Sequence, residues 1–396
     1  MQKTNRILIT DILLFLTVWV YYSLNAKYIN FAGFTILRWV LPFAMIGVSI
    51  LENDWHFPAP PRLFWWFTVA VMPSIFLGSD ITTALIKYLS LVLVFYGSFI
   101  FFAQLRSTEK LNRCLMTVVV VLVIYQLLNT VFVLLGVGEI HGRSTGITTN
   151  ANTLGIYSNL AFWAGFYLFK RAENDTHRAL AVVFLLTVVY TVLACGSRTA
   201  FVVLILNITV AVYMLFGQGK PIWLLGAGLL LAGGLVLSGK LDFLNIAAID
   251  RLSEEGGTTR EELWEHGISV WKQHIAVGVG YTLSQRFNML TPNLVFHNSY
   301  LSYLIECGIW GAVILGIGFI NTIVRIISSF VKEKLMMANL EVITACMMIV
   351  GLAVAAWSES FLFAVGSTEG YTFWFLLAWL LVYIWQRKEE QHPLQR

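Results

Sequence analysis

Apolar runs of roughly 17–25 residues recur along almost the whole chain, separated by short polar connections, and that length crosses about 30 Å of hydrocarbon. Twelve runs can be marked, at 7–24, 31–51, 63–78, 82–103, 114–136, 153–169, 179–195, 199–217, 221–238, 299–322, 341–358 and 370–386. They predict an all-α, polytopic membrane protein with one integral membrane domain over 1–396 and one long polar loop at 239–298. The first run contains Asp11, lacks a small-residue cleavage site and is followed by many more. It therefore reads as a span and not as a signal peptide.

Composition agrees with the pattern. Apolar residues make up 58% of the 396 residues and charged residues 12%, about half the charge of an ordinary soluble chain. Charge also sets orientation, because Lys and Arg concentrate on the cytoplasmic side. With both termini cytoplasmic, inside segments hold sixteen Lys and Arg, from Lys3 and Arg6 to Lys388 and Arg396, while the short outside loops hold Lys27, Arg143 and Arg198. Loop 239–298 is then extracytoplasmic. The net charge of +4 follows from topology and gives no reason to expect nucleic acid. Cys114, Cys195, Cys307 and Cys346 fall in or beside spans with no close pair and no metal-type spacing, so free core thiols are expected.

The long loop carries its own helix signal. Thr258 and Thr259 each precede a Glu by three residues, the capping-box pattern. Trp264, Ile268, Trp271 and Ile275 then fall on one helical face. That stripe suits a helix lying along the membrane interface or one packed on the outer ends of the spans. Arg260 sits in the first turn, where a cation opposes the helix dipole. It reads either as a surface Arg among Glu261 and Glu262 or as part of an anion site with free backbone N–H groups.

Other outer-side charges are few. Arg143 lies in a polar loop ahead of the sixth span, and Arg198 in the tight turn Cys195-Gly196-Ser197-Arg198-Thr199. Arg38, Lys87 and Glu306 lie within spans, roughly 9–12 Å from the outer end at 1.5 Å per residue. Charges at that depth line a cavity or pair with one another, so a net-positive outer cavity and a purely structural Arg38–Glu306 or Lys87–Glu306 pair are both open. His297 and Asn298 end the long loop just before Ser299 enters a hydrophobic helix. An imidazole at a membrane boundary, with Arg and Lys on the same side, suits an anionic lipid substrate, since guanidinium forks match phosphate oxygens. His266 and His274 are eight apart, too loose a spacing to argue for metal ligation, and no cofactor is expected. Gly278-Val279-Gly280 reads as a turn.

His297-Asn298, Tyr300-Leu301, Glu306, Gly308 and Gly311 closely resemble the end of the periplasmic loop in the O-antigen ligase and O-antigen polymerase superfamily. Ser197-Arg198-Thr199-Ala200 is similar to that family's Ser-Arg turn, and Arg260 ahead of Trp264 resembles its long-loop Arg. Asn150-Ala151-Asn152-Thr153-Leu154-Gly155 is similar to its Asn-Pro-Asn motif, with Ala151 in the place of Pro. The resemblance runs over about residues 140–370, while the first five spans match in hydropathy alone.

The resemblance implies a GT-C-like membrane glycosyltransferase of the bacterial cytoplasmic (inner) membrane with a periplasmic active site. Such enzymes pass a glycan from undecaprenyl diphosphate to an acceptor hydroxyl without a metal. Carried over, Arg198 and Arg260 neutralise the diphosphate and His297 positions or deprotonates the acceptor. Arg143, Asn298, Arg38, Lys87 and Glu306 are further candidates for substrate contact. The acceptor is a lipid-linked repeat unit in a polymerase or lipid A–core in a ligase. The Asn150–Gly155 loop and the compact outer loop favour the polymerase. Membrane lipids and other polysaccharide-assembly proteins are the remaining partners. A different class, a twelve-span transporter or lipid-linked glycan flippase, fits the buried charges and even span count, but the two halves show no similarity to each other.

Overall fold

The computed structural model describes residues 2–52, 58–140, 142–216, 258–287, 296–333 and 339–391. The predicted ninth span, 221–238, and loop stretches 239–257 and 288–295 lie outside the described residues. Within them the chain is all-α: α1 (Gln2–Leu24), α2 (Ala32–Glu52), α3 (Arg62–Leu77), α4 (Ile81–Gln104), α5 (Thr108–Leu134), α6 (Ala151–Arg171), α7 (Asp175–Ala194), α8 (Arg198–Phe216), α9 (Thr258–Gln273), α10 (Ser299–Glu333), α11 (Leu340–Ala355) and α12 (Thr368–Gln391). A two-stranded ribbon, β1 (Glu139–Ile140) and β2 (Arg143–Ser144), precedes α6. Six of these helices, α2, α4, α5, α7, α8 and α10, are long and apolar enough to cross a membrane; α3, α11 and residues Ile9–Leu24 are shorter apolar helices.

The exterior is apolar. Ile36, Phe43, Leu77, Leu186 and Ile320 are each more than half exposed, as expected where the surrounding solvent is lipid. The interior carries the polar side chains, and α6 shows why. Most of α6 is buried, so its amides must find partners inside the protein. Asn159 donates to the carbonyls of Gly155 and Ala200, both at 2.9 Å. Trp163 donates to Asn207 at 2.8 Å, and on neighbouring α5 Gln126 donates to Thr191 of α7 at 2.7 Å. A buried helix can hold such residues because they never meet lipid.

The connections sort cleanly between the two ends of the bundle. At one end Lys27 N–H donates to Ile147 O, Thr149 N–H to Asn25 O, Ser79 N–H to Val279 O and Ser299 N–H to Ala356 O. Asp80 caps α4 through the Thr83 N–H and accepts from Arg286; these donors hold its carboxyl down to about 2. The loops after α1, α3, α5 and α11 and the segment before α10 therefore share one face. At the other end Thr108 donates to Glu390, and Arg171 pairs with Glu341.

One helix is broken. Gly308 in α10 has φ +62 and ψ −168, which an L side chain avoids, and the break frees backbone groups on both sides. Segment 275–280 lies against them. Val279 N–H donates to Ile305 O, Gly280 N–H to Glu306 O, Ile309 N–H to Ile275 O and Trp310 N–H to Ala276 O, at 2.8–3.1 Å. A Cβ at Gly278 (φ +74) would sit 2.4 Å from the Glu306 backbone, and one at Gly308 would sit 2.5 Å from Ala276 O. Gly278-Val279-Gly280, read from sequence as a turn, follows a turn at 275–277 and lies as irregular backbone in this break. Below it, Gly311 and Gly318 let α10 close on Ala70 and Trp66 of α3, the small-residue contact common between membrane helices.

Gly278→Ala should lower the thermal midpoint of the purified protein by several degrees, since it forces a side chain into left-handed backbone and into the Glu306 carbonyl. Gly316→Ala is the control, because an added Cβ there meets nothing within 4 Å and the midpoint should hold or rise. Equal midpoints for both variants would show that the insert is not fixed in the break.

Candidate active site

His297 immediately precedes the cap of α10. Its φ is +49, a left-handed conformation uncommon for non-glycine residues, costing about 1–3 kcal/mol where the surroundings enforce it. The surroundings here are explicit. Asn298 accepts from the Tyr300 and Leu301 N–H groups at 3.0 Å, the N-cap role of an Asn. Its own N–H donates to Ser360 Oγ at 2.9 Å. Ser299 Oγ donates to Glu359 O at 2.7 Å and accepts from the Phe361 and Leu362 N–H groups. The motif His297-Asn298-Ser299 thus folds the loop between α11 and α12 back over the start of α10.

That loop delivers Glu359, which is the centre of the site. One carboxylate oxygen lies 3.2 Å from His297 Nδ1. The other accepts from Asn152 Nδ2 at 2.6 Å and from Arg260 Nη2 at 3.4 Å. Asn152, in the first turn of α6, also accepts from Arg143 Nη2 at 2.7 Å. Arg143 Nε donates to Cys195 O at 2.9 Å, three residues before Arg198. The turn carrying Arg198 sits close on α6, because a Cβ at Gly155 would fall 2.5 Å from that of Ala200 and 3.0 Å from Cys195 Sγ. A continuous hydrogen-bonded chain thus runs from Cys195 through Arg143, Asn152 and Glu359 to Arg260 and His297. Arg198, half-buried, makes no hydrogen bond or ion pair among the described residues.

The amphipathic helix α9 supports Arg260. Its buried positions are Leu263, Gly267 and Val270, with Gly267 against Ile305 and Phe296. Trp264 Nε1 donates to Phe296 O at 2.9 Å and Trp271 packs on the same cluster. Ile268 and Ile275 point outward, 39% and 49% exposed. The helix is therefore packed on the bundle, along a stripe one position over from the one the Trp and Ile spacing suggests.

Of the residues expected to act together, the structure joins Arg143, Arg260 and His297 through Asn152 and Glu359, and sets Arg198 on the attached turn. Asn298 is buried and spends its carbonyl oxygen on the helix cap. The intramembrane charges lie apart from this chain. Among the described residues neither Arg38 nor Lys87 is ion-paired with Glu306. Arg38 lies over Trp39 and against Gly366. Glu306 is buried and accepts from Ser284 Oγ at 2.5 Å, in the turn that follows the inserted segment, with Lys87 near enough to feel its charge. Glu359 itself was not anticipated. The available signal was Ser358-Glu359-Ser360, a carboxylate between two serines just outside a span on the Arg-bearing side.

Residues 181–316 match the family model described as O-Antigen ligase. This stretch is similar to that family. The match includes Arg198, Arg260 and His297, while Arg143, Asn152 and Glu359 lie outside it. Over that stretch the match supports a likeness to the O-antigen ligase and polymerase superfamily, whose members are glycosyltransferase-like enzymes. No curated protein matches the chain.

Glu359→Ala should loosen α9 by removing the acceptor it shares with α6 and His297. Amide exchange over 258–273 should quicken roughly tenfold, the scale of one lost charged hydrogen bond, with α4 and α5 unchanged. Unaltered exchange in α9 would mean that Glu359 does not tie the loop to the bundle.

Proposed function

We propose that this chain transfers a glycan from undecaprenyl diphosphate to an acceptor hydroxyl at the extracytoplasmic face. The observation that carries the reading is the convergence of Arg143, Arg260 and His297 on Glu359 and Asn152, with Arg198, unpaired among the described residues, on the adjoining turn. Glu359 on Nδ1 selects the imidazole tautomer with its proton on that nitrogen and leaves Nε2 as a base. The acceptor oxygen attacks the anomeric carbon as the bond from that carbon to the diphosphate oxygen breaks. The electron pair leaves with the diphosphate, and the acceptor proton passes to Nε2. Glu359 then steadies the imidazolium. Negative charge grows on the departing diphosphate, where preorganised cations count for most. Arg198 and Arg260 supply it, Arg260 from a long and partly exposed contact to Glu359 that an incoming phosphate can replace. In this reading the guanidiniums serve in place of a metal, and the preformed glycosyl diphosphate supplies the energy.

Two acceptors remain, each with its own support. The Asn150–Gly155 loop resembles that of polymerases, for which the acceptor is another lipid-linked repeat unit. The family description names a ligase, for which the acceptor is lipid A–core, although the family holds both kinds of enzyme. Deletion separates them: single repeats left behind identify the polymerase, and unattached long chains the ligase.

In a complementation gel, His297→Ala and Arg198→Ala should insert normally yet lose the glycan ladder, each with a drop of about 10²–10³ in transfer. A normal ladder from either variant would sink the assignment. Arg260→Lys should restore little if the guanidinium grips phosphate bidentately, whereas full restoration would reduce Arg260 to a charge.

A further inference from the structure

Arg38 and Lys87 lie within spans, outside the hydrogen-bonded chain around Glu359. Their helices, α2 and α4, both start at the outer end of the bundle and pack side by side, so closely that a Cβ at Gly97 would fall 2.5 Å from Ile46 Cδ1. Arg38 precedes Ile46 by eight residues and Lys87 precedes Gly97 by ten. At 3.6 residues per turn, both leave that contact roughly 80° to the same side and within roughly 3 Å of the same depth. The side is the inner one. Arg38 lies against Gly366, just ahead of α12, and close enough to Tyr21 of α1 to act on its hydroxyl. Four helices ring the space: α1 meets α2 at Val20 and Leu41, α4 meets α12 at Phe95 and Trp374, and α12 meets α1 at Tyr371 and Tyr21.

Both cations are half-buried, and neither forms an ion pair or hydrogen bond among the described residues. Glu306 feels the charge of Lys87, but its carboxylate accepts from Ser284. Two inward-turned cations within spans are costly unless something anionic meets them. The loop beside them is shaped for the guanidinium: Gly366 has φ +90, and a Cβ there would fall 2.9 Å from Arg38 Nη1. A fork and a point charge at one depth suit a headgroup with two or more negative charges. An ordinary phosphodiester lipid brings one.

Taking glycan transfer at His297 as its basis, we propose that Arg38 and Lys87 hold the phosphate headgroup of the acceptor lipid, a diphosphate or a phosphate monoester. The donor's diphosphate leaves from the reacting carbon and must lie there, with Arg198 and Arg260. The acceptor's phosphate breaks no bond and is separated from the reacting hydroxyl by its own glycan, so it needs a second site in the same leaflet. Loop 356–367 joins the two places, with Glu359 at His297 and Gly366 at Arg38. Seven residues separate them, at most roughly 25 Å of chain.

The test reconstitutes the purified full-length protein in phosphatidylglycerol-containing vesicles with either undecaprenyl diphosphate or lipid A, and counts the lipids retained by native mass spectrometry. A polymerase should retain two molecules of undecaprenyl diphosphate, and a ligase one, with lipid A beside it. Arg38→Gln/Lys87→Gln should lose one undecaprenyl diphosphate in the first case and lipid A in the second. Each single variant should weaken that binding step roughly tenfold, the scale of one charged hydrogen bond. The thermal midpoint of the lipid-free variants should hold, since a charge without a partner is removed. One undecaprenyl diphosphate with no lipid A, a count unchanged in the double variant, phosphatidylglycerol held in the same place, or a fallen midpoint would each overturn the site. In the transfer assay, Arg38→Gln should raise the half-saturating acceptor concentration roughly tenfold and leave that of the donor unchanged; the reverse would overturn the acceptor role. The lipid count needs no transfer, so a wild type that retains the second lipid yet transfers nothing would refute the catalytic reading alone.

Discussion

Within hydrocarbon, a backbone N–H or carbonyl that leaves a helix has no water to receive it and must find a partner in the protein. The break in α10 at Gly308 meets that demand with segment 275–280, whose backbone takes up the groups freed around Ile305, Glu306, Ile309 and Trp310. The chain that follows α9 is thus built into a membrane helix. Ser299 and Asn298 secure the chain again at the start of α10. Just ahead of the first anchorage α9 packs through Leu263, Gly267 and Val270 on Phe296 and Ile305, and Arg260 is carried at its first turn. The distance between Arg260 and His297 is therefore set by backbone hydrogen bonds in a membrane helix, as a preorganised site requires.

Electrostatics works on that frame. Three guanidiniums, those of Arg143, Arg198 and Arg260, lie along a path with one carboxylate at its centre. Glu359 holds two neighbours in place and orients the imidazole, but it does not neutralise the cations. The surplus positive charge is what an anionic leaving group would find. Arg143 is spent on Asn152 and Cys195 O, which suits a bracing role, whereas Arg198 keeps its donors unspent among the described residues.

The spans were legible because lipid imposes a length and a polarity that one sequence displays directly. Most observed helices end within a few residues of the marked runs. The two larger differences arise where helices leave the membrane: α5 starts at Thr108 and α10 continues to Glu333, with Arg325 and Asn321 bonded along its surface. Hydropathy cannot see a helix that carries on into water. His297, Arg198 and Arg260 were legible as rare charges on one side of the membrane. Glu359 was not, because an inventory of cations for phosphate passes over the carboxylate that organises them. The break at Gly308 was hidden for another reason. A glycine in an apolar run looks the same whether it packs against a neighbour, as Gly318 does, or turns the backbone, as Gly308 does. Likewise the Trp and Ile spacing in α9 indicated a helix, but small Gly267 proved to be the point of closest packing.

The most direct measurement is made on purified protein in vesicles supplied with an undecaprenyl-diphosphate-linked glycan and an acceptor, with no ion gradient and no nucleotide. Release of undecaprenyl diphosphate should match, mole for mole, the new glycosidic bonds formed. Glycan that stays on its carrier, or that only changes sides of the bilayer, would contradict glycan transfer at His297 and point to transport instead.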